Sequence, residues 1–232
     1  MKKTLAGILA LSLLPFAGLA IAAPKQVEVV YQATKNGQPF ATVTETYKRE
    51  NGRYRIESVT KGIGVYALFG VRRLLSEGEV TAAGLKPTHF EVHPGDNEKK
   101  ALFADFDWAA NTLTMKVKGN PTTVPLEKGT QDLSSFTYQF MFSPPNGIEV
   151  KMPVTTGKKL RNYEFKVTER NVTLEVPAGK FKAVHMVNAS KDADDEKELW
   201  LGVESYYLPV KLTMRDERGA KIEQVLTSLH AE

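Results

Sequence analysis

The sequence predicts an all-β domain with one or two short helices, in which a curved antiparallel sheet forms an open or closed β-barrel. Three observations support this fold class. Apolar and polar residues alternate with period two over many short segments, as at Val27, Val29 and Tyr31. The dipeptide Asn-Gly stands between such segments at positions 36–37 and 51–52, and it accepts positive φ at low cost in tight hairpins. Further turn signals recur at intervals of about 8–12 residues, a spacing typical of barrels and sandwiches.

The individual strands follow from the same alternation. After the first segment the pattern continues at Val43, Glu45 and Tyr47, and again at Tyr54 and Ile56. Further strands are predicted over residues 74–80, 87–93, 100–105, 112–118, 122–126, 149–154, 161–176, 181–189, 196–201, 209–216 and 221–229. The charged run at 191–197 is predicted to be a solvated loop or strand end.

One interruption of this rhythm predicts a helix over residues 132–142. Asp132 is a good N-cap, the apolar residues Phe136, Phe140 and Met141 fall near helical spacing, and the prolines at 144–145 end the element. Two interpretations stay open. The helix closes one end of the barrel with these apolar side chains, or it lines a pocket that has Tyr138 on its polar side.

The other interruption is the apolar, uncharged segment at residues 62–70. One interpretation is a lid over a hydrophobic cavity, or a patch that meets a membrane or a lipidated partner, with Arg72 and Arg73 contacting anionic head groups. The favoured interpretation is a plug with Leu68 and Phe69 in the core, because soluble proteins rarely expose large apolar patches.

Residues 1–22 have the composition of a secretory signal peptide. Lys2 and Lys3 precede an apolar stretch over residues 5–19, and Ala20 and Ala22 are the small residues of a cleavage site before Ala23. The stretch is short for a membrane span, and no stop-transfer charges follow it. We therefore expect one exported domain over residues 23–232, located in a bacterial periplasm, with no transmembrane segment after cleavage.

Composition excludes several classes of function. The chain has no Cys, so thiol redox chemistry, a Cys nucleophile and thiolate zinc sites are excluded. The full chain carries 31 basic and 27 acidic residues, and removal of Lys2 and Lys3 leaves a small basic excess. That excess is too small to indicate nucleic-acid binding, which favours a strongly basic face.

Candidate chemical sites each have a structural explanation. His89 and His93 are the one close histidine pair, but four residues along a strand separate them by roughly 13 Å, too far for a shared metal. His185 and His230 are expected to be structural. Carboxylates suited in type to glycoside hydrolysis are present at Asp96, Asp105, Asp107 and Asp132. Asp107 is expected to close a turn instead, and no serine lies in a nucleophile elbow. No cofactor or metal is predicted.

Several short motifs, taken in order, resemble a known family. They are Gly84-Leu85-Lys86-Pro87, Phe106-Asp107-Trp108, Gln131-Asp132-Leu133-Ser134-Ser135, Pro177-Ala178-Gly179-Lys180-Phe181, Leu199-Trp200-Leu201 and Leu208-Pro209-Val210-Lys211-Leu212. The chain is similar over residues 27–229 to the secreted bacterial family called domain of unknown function 3108. The resemblance implies a β-rich envelope protein with a curved antiparallel sheet, and it supplies neither an activity nor catalytic residues.

Three hypotheses for function follow. The first is an exported, non-catalytic protein that binds or carries an apolar or amphipathic envelope ligand such as a lipid. The second is an envelope assembly or interaction protein without a small ligand, and the third is a glycan hydrolase that uses the carboxylates. Under the first, the residues expected to contact ligand are Val65, Tyr66, Leu68, Phe69, Phe136, Tyr138 and Phe140.

Overall fold

The structure, a computed structural model, describes residues 23–95, 97–189, 196–215 and 219–232. The signal-peptide prediction, most of the predicted charged loop, Asp96 and the final residue of the strand predicted over 209–216 lie outside the described residues. The prediction of an all-β fold with short helices is confirmed, and the curved sheet is not closed. Its strands are β1 (Gln26–Lys35), β2 (Gln38–Glu50), β3 (Arg53–Gly62), β4 (Val71–Thr81), β5 (Gly84–His93), β6 (Leu102–Asp107), β7 (Thr112–Val117), β8 (Asn120–Pro125), β9 (Gln131–Asp132), β10 (Glu149–Thr155), β11 (Leu160–Val176), β12 (Gly179–Asn188), β13 (Lys197–Gly202), β14 (Pro209–Arg215) and β15 (Lys221–Ala231). The helices are the 3-10 turns η1 (Gly64–Phe69), η2 (Glu98–Lys100) and η3 (Gln139–Met141) and the α-helix α1 (Ser135–Tyr138).

The sheet consists of two meanders that meet at its centre. Its order is β8-β7-β6-β5-β4-β3-β2-β1-β15-β14-β13-β12-β11-β10-β9, so the first and last strands pair, with Val27 opposite Ala231. Neighbouring strands are antiparallel except β9 and β10, which are parallel. We call β1–β8 the N-terminal arm and β9–β15 the C-terminal arm.

The tight turns explain why the first hairpins could be predicted. Asn36 and Gly37 have φ of 49° and 80°, and Asn51 and Gly52 have φ of 50° and 75°. Two consecutive positive φ values are the geometry of the two-residue hairpin turn that matches the twist of the flanking strands. The Asn-Gly dipeptides therefore set the register of β1 to β2 and of β2 to β3.

The predicted helix is shorter than expected. Residues 131–142, which we call the insert, comprise β9, α1 and η3, so the helical part begins at Ser135 and Asp132 lies in a strand. Only the predicted start of the helix is wrong, because the Asp132 side chain still accepts hydrogen bonds from backbone N–H groups at the helix N-terminus. Its Oδ1 accepts hydrogen bonds of 2.8 Å from the backbone N–H groups of Ser134 and Ser135.

The insert fills the concave side of the sheet. Tyr138 and Met141 pack into a buried cluster with side chains of β1, β2 and β3, and the Tyr138 ring stacks on Tyr47 at 5.5 Å. Phe136 and Phe140 pack into a second cluster, built by β10 to β13. The insert thus joins the cores of the two arms.

The outer ends of the two arms approach each other through side chains. The Thr155 hydroxyl on β10 contacts Met115 Sδ on β7 at 3.3 Å. A Cβ built at Gly157 would lie 3.1 Å from Leu102 Cβ and 3.5 Å from the Phe90 ring, so the turn after β10 packs tightly on β5 and β6. The two edge strands of the sheet, β8 and β9, are not hydrogen-bonded to each other. The two arms instead meet there through side-chain packing.

The plug interpretation of residues 62–70 is wrong. The residues of η1 have no buried side chain, and Leu68 and Phe69 lie in solvent. The physical reason is that β3 and β4 stay paired up to Lys61 and Val71, so the connection projects beyond the sheet, while the insert already occupies the interior. We call residues 63–69 the tip.

In the described part of the chain, no helix is long and apolar enough to cross a membrane.

Candidate functional site

A cavity of about 330 Å³ lies on the concave side of the sheet, within the size range of small-molecule sites, about 300–1,000 Å³. It is bounded by β1 to β4, by the insert and by β13 to β15. Its lining consists of Tyr31, Ala33, Phe40, Val43, Glu45, Ser58, Thr60, Arg72, Leu74, Leu133, Ser134, Phe136, Thr137, Lys197, Pro209, Leu212, Met214, Ile222 and Gln224.

Most of this surface is apolar, and it is arranged from a buried floor to a more exposed rim. Phe136 and Val43 are buried, whereas Phe40, Met214 and Ile222 are partly exposed. The rim residues lie close to the Asn36-Gly37 turn, to the tip and to the facing ends of β14 and β15. The cavity therefore belongs to the end of the sheet that carries the tip.

One wall of the cavity is polar, and Glu45 is at its centre. The Ser58 hydroxyl donates to Glu45 Oε1 at 3.1 Å, and the Tyr138 hydroxyl donates to Oε2 at 3.3 Å. Burial raises the pKa of Glu45, although both hydrogen bonds and the positive charge of Arg72 oppose that shift. The carboxylate also contributes to the raised pKa of Tyr138, for which burial is the largest cause.

Arg72 supplies the opposite charge. Burial lowers the pKa of its guanidinium and the charge of Glu45 partly restores it, but an arginine stays protonated in such a site. Glu45 and Arg72 attract each other without a direct ion pair, and no described group accepts a hydrogen bond from the guanidinium. An arginine has five N–H donors in a fixed fork, so this wall offers donors to whatever enters the cavity.

A second polar position lies at the cavity floor. The Ser134 hydroxyl is buried and has no hydrogen-bond partner among the described residues, and Ser134 lines the cavity beside Phe136. An unsatisfied buried hydroxyl is uncommon in folded proteins and calls for an explanation.

The tip adjoins the cavity through an aromatic contact. The Tyr66 ring lies edge-on to Phe40 with 5.5 Å between centroids, and Phe40 lines the cavity rim. The Tyr66 ring in turn packs near the Phe69 ring, with 6.3 Å between the ring centroids. The apolar surface of the rim therefore continues onto the exposed tip.

The structure distributes the predicted ligand-contacting residues over three places. Phe136 lines the cavity, and Tyr138 reaches its polar wall through its hydroxyl. Phe140 packs in the core of the C-terminal arm and beside a different surface depression. The tip residues Val65, Tyr66, Leu68 and Phe69 do not line the cavity.

Sequence reasoning missed the polar wall. One signal for Glu45 was available, because Val43, Glu45 and Tyr47 share one face of a strand and the two flanking residues are apolar. A carboxylate on the apolar face of a strand indicates a charged side chain that points towards the core. No comparable local signal joins it to Arg72, which lies two strands away.

The histidine pair forms a ladder on a partly exposed strand face. On β5, His89 and His93 contact the two oxygens of Glu91 at 2.8 and 2.9 Å, and their other ring nitrogens contact Asp105 and Glu98. No cluster of three metal-ligating side chains occurs within the described ranges.

The three described carboxylates of the hydrolase hypothesis, Asp105, Asp107 and Asp132, are not brought together. Asp105 is held by His89 on an exposed face, and Asp107 closes the next turn by accepting the N–H groups of Ala109 and Ala110. Asp132 is buried on the opposite, concave side. Each therefore has a separate structural role.

Comparison with known proteins gives a family and a fold. The model of the family "Protein of unknown function (DUF3108)" matches residues 26–227. No curated protein sequence matches the chain.

Among solved structures, a beta-barrel-like protein of domain of unknown function DUF1849 from Brucella abortus aligns with a TM-score of 0.60 at 12% identity, covering 90% of this chain and 99% of that chain. A candidate lipoprotein from Parabacteroides distasonis aligns with a TM-score of 0.36 at 11% identity, over 90% and 96% of the two chains. A candidate exported protein from Bacteroides fragilis aligns with a TM-score of 0.32 at 9% identity, over 89% and 96%. The first of these similarities supports the barrel-like fold and says nothing about a ligand.

Proposed function

The chain belongs to the DUF3108 family of proteins of unknown function, and from its cavity we propose that it is an exported, non-catalytic protein that binds an amphipathic small molecule. The observation that carries the proposal is the combination of a largely apolar cavity with one polar wall, whose guanidinium has no hydrogen-bond acceptor in the described part of the chain. Such a division of the surface matches a ligand that has an apolar body and a polar end.

The apolar part of the cavity accounts for affinity. Side chains such as Val43, Leu74, Phe136 and Leu212 line it, and each square ångström of apolar ligand surface removed from water contributes about 25 cal/mol. These side chains come from both arms and from the insert, so the folded core holds them in place before a ligand arrives.

The polar wall accounts for orientation. Arg72 would receive the polar end of the ligand, because no described group accepts from its N–H donors and the Glu45 carboxylate already accepts hydrogen bonds from Ser58 and Tyr138. A carboxylate, phosphate or sulfonate oxygen is the acceptor that a guanidinium binds most strongly. We therefore propose that the polar end is an acceptor group, with an anion favoured.

Export rests on the segment at residues 1–22, whose composition is that of a signal peptide. A bacterial periplasm is the proposed location, and an envelope amphiphile is then the available class of ligand.

The test is a search for bound ligand followed by a block of the cavity. Protein exported from a bacterial host is analysed by native mass spectrometry and by solvent extraction, and we expect a bound amphiphile that the denatured protein releases. Val43→Phe would fill the cavity from β2 and should abolish this binding. Thr44→Phe, on the opposite face of the same strand, is the matched control and should retain it.

Two results would overturn the proposal. Protein free of bound amphiphile that also fails to bind added long-chain carboxylates or alkyl phosphates would remove it. Equal binding by the Val43→Phe and Thr44→Phe variants would place the ligand outside this cavity.

A further inference from the structure

We propose that the tip, residues 63–69, is a membrane-contacting element that inserts its apolar side chains into a bilayer containing anionic lipids. This inference concerns a different surface from the cavity and stands whether or not the cavity binds a ligand. Its basis is the exposure of the tip, the charge around its base and its shape.

The exposure of the tip is unusually high for such apolar residues. Leu68 is 88% exposed, Phe69 74% and Val65 72%, and Ile63 beside them is also exposed. Isolated exposed hydrophobic residues are ordinary, but a contiguous group marks a surface that meets another apolar phase. The tip contains no charged residue, so nothing within it opposes transfer out of water.

Basic side chains lie near the base of the tip. Lys61 and Arg73 are exposed on the paired ends of β3 and β4, on the outer face of that hairpin. The loop after β5 touches the tip, since a Cβ at Gly95 would lie 2.7 Å from the Phe69 carbonyl oxygen, and this loop leads to exposed Lys99 and Lys100 in η2. In that neighbourhood, the described acidic side chain Glu98 is engaged by His93. Apolar residues with Lys and Arg beside them are the pattern of interfacial membrane binding, in which apolar burial and attraction to anionic lipids add.

The shape of the tip favours a bilayer over a protein partner. It is a six-residue 3-10 helix at the end of a hairpin, projecting past the last paired residues of β3 and β4. A protein would need a pocket that fits this projection, whereas a bilayer accepts it without shape matching. The adjoining rim residue Phe40, in contact with Tyr66, would then lie close to the lipid surface.

The chain offers a clean test because it has no Cys. Leu68→Cys is labelled with an environment-sensitive nitrobenzoxadiazole dye, and Glu50→Cys, exposed at the end of β2 that lies away from the tip, is the matched control. Both proteins are produced by export, and mass spectrometry establishes removal of the signal segment, whose apolar stretch would itself bind lipid. They are titrated with vesicles of phosphatidylcholine alone and of phosphatidylcholine with one quarter phosphatidylglycerol.

We expect a blue shift and an intensity gain at position 68 with the anionic vesicles, a weaker response with neutral vesicles, and none at position 50. In co-sedimentation, Leu68→Ser with Phe69→Ser should weaken binding of the unlabelled protein by at least about tenfold, because each buried apolar side chain of this size contributes severalfold or more. Lys61→Gln with Arg73→Gln should lower binding to anionic vesicles and leave binding to neutral vesicles unchanged.

No spectral change at position 68 with either vesicle would overturn the proposal, as would equal changes at positions 68 and 50. An unaltered melting temperature in each variant establishes that a loss of binding is not a loss of fold. The Val43→Phe variant separates the two proposals, since it should lose the cavity ligand and keep vesicle binding.

Discussion

The Ser76 hydroxyl donates a 2.6 Å hydrogen bond to Asp132 Oδ2, and this contact joins strand β4 to the insert. The hydroxyl of Tyr54 lies 3.0 Å from the same Ser76 oxygen, so the network extends to β3. All three groups are buried. The insert packs into the cores of both arms. These hydrogen bonds hold it against strands β3 and β4.

The network predicts a particular dependence of stability on pH. Burial raises the pKa of Asp132 to about 6, although its hydrogen bonds from Ser76, Ser134 and Ser135 oppose the shift. The unfolded value is about 3.8, so the folded state binds the proton more tightly. The stabilisation from this proton is fully present below pH 4 and is lost as the pH rises through 6.

Asp132→Asn removes this titration while keeping an oxygen for the N–H groups of the insert. Between pH 4 and 6.5, the unfolding free energy of the unaltered protein should fall relative to that of the variant by up to about 3 kcal/mol. Urea unfolding of both proteins at successive pH values measures the difference. Parallel curves across that window would show that Asp132 is not the group responsible.

A second prediction contrasts two phenylalanines. Phe140 is 1% exposed in the core of the C-terminal arm, and Phe69 is 74% exposed on the tip. Phe140→Ala should lower the unfolding free energy by about 3–5 kcal/mol, as expected for a large core truncation. Phe69→Ala should change it by no more than about 0.5 kcal/mol, the usual range for surface positions.

Denaturant unfolding followed by circular dichroism compares these variants with the unaltered protein. A large loss of stability in Phe69→Ala would mean that the tip folds back onto the core. It would remove the basis for assigning the tip to a membrane surface.

These two phenylalanines also show what sequence could and could not establish. Both stand in short apolar runs, and no local pattern distinguishes the run that enters the core from the one that projects into solvent. The hairpins were predictable because Asn36-Gly37 and Asn51-Gly52 specify turns locally. The pairing of β1 with β15 could not be predicted, because Val27 and Ala231 are far apart in sequence and meet only in the complete fold.

Only the part of the candidate site that depends on local sequence patterns could be predicted. The apolar residue Phe136 was identified from its helical spacing, and it lines the cavity. The functional interest of Glu45 and Arg72 depends on their approach across β3, which strand order and register determine. The residues that neighbour Glu45 and Arg72 in sequence determine neither the strand order nor the register.

The charges of the polar wall predict how an anionic probe responds to pH. Burial raises the pKa of Glu45 above its ordinary value of 4.5, while Ser58, Tyr138 and Arg72 act in the opposite direction. The probe is anilinonaphthalene sulfonate, which stays anionic over the range used. Its affinity should rise as the pH is lowered from neutral towards 4.5, because protonation of Glu45 removes repulsion and leaves Arg72 charged.

Glu45→Gln should bind this probe about threefold to tenfold more tightly at neutral pH, since one like charge at close range in a partly buried site costs about 1 kcal/mol or more. Its affinity should also lose most of the pH dependence. Glu149→Gln, exposed on β10, is the control for a change in net charge. Fluorescence titration measures all three proteins, and equal affinities for the unaltered protein and Glu45→Gln would contradict the proposed role of this wall.

The histidine ladder on β5 gives the last prediction. The hydrogen bond to Glu91 is the largest cause of the raised pKa of His93, with Glu98 adding to it. Burial opposes the charge on His89, but Glu91 and Asp105 outweigh it and raise the pKa of that ring as well. The folded state therefore favours both protonated rings, and their contribution to stability is present below pH 6.5 and is lost as the pH rises through the raised values.

Because Glu91 contacts both rings, Glu91→Gln should lower the pKa of His89 and of His93 together. Histidine side-chain signals followed by nuclear magnetic resonance across pH 5–9 measure both titrations in one sample. The His230 ring, which contacts Glu232 and not Glu91, is the internal reference. A change in only one of the two histidines would show that Glu91 does not bridge them in solution.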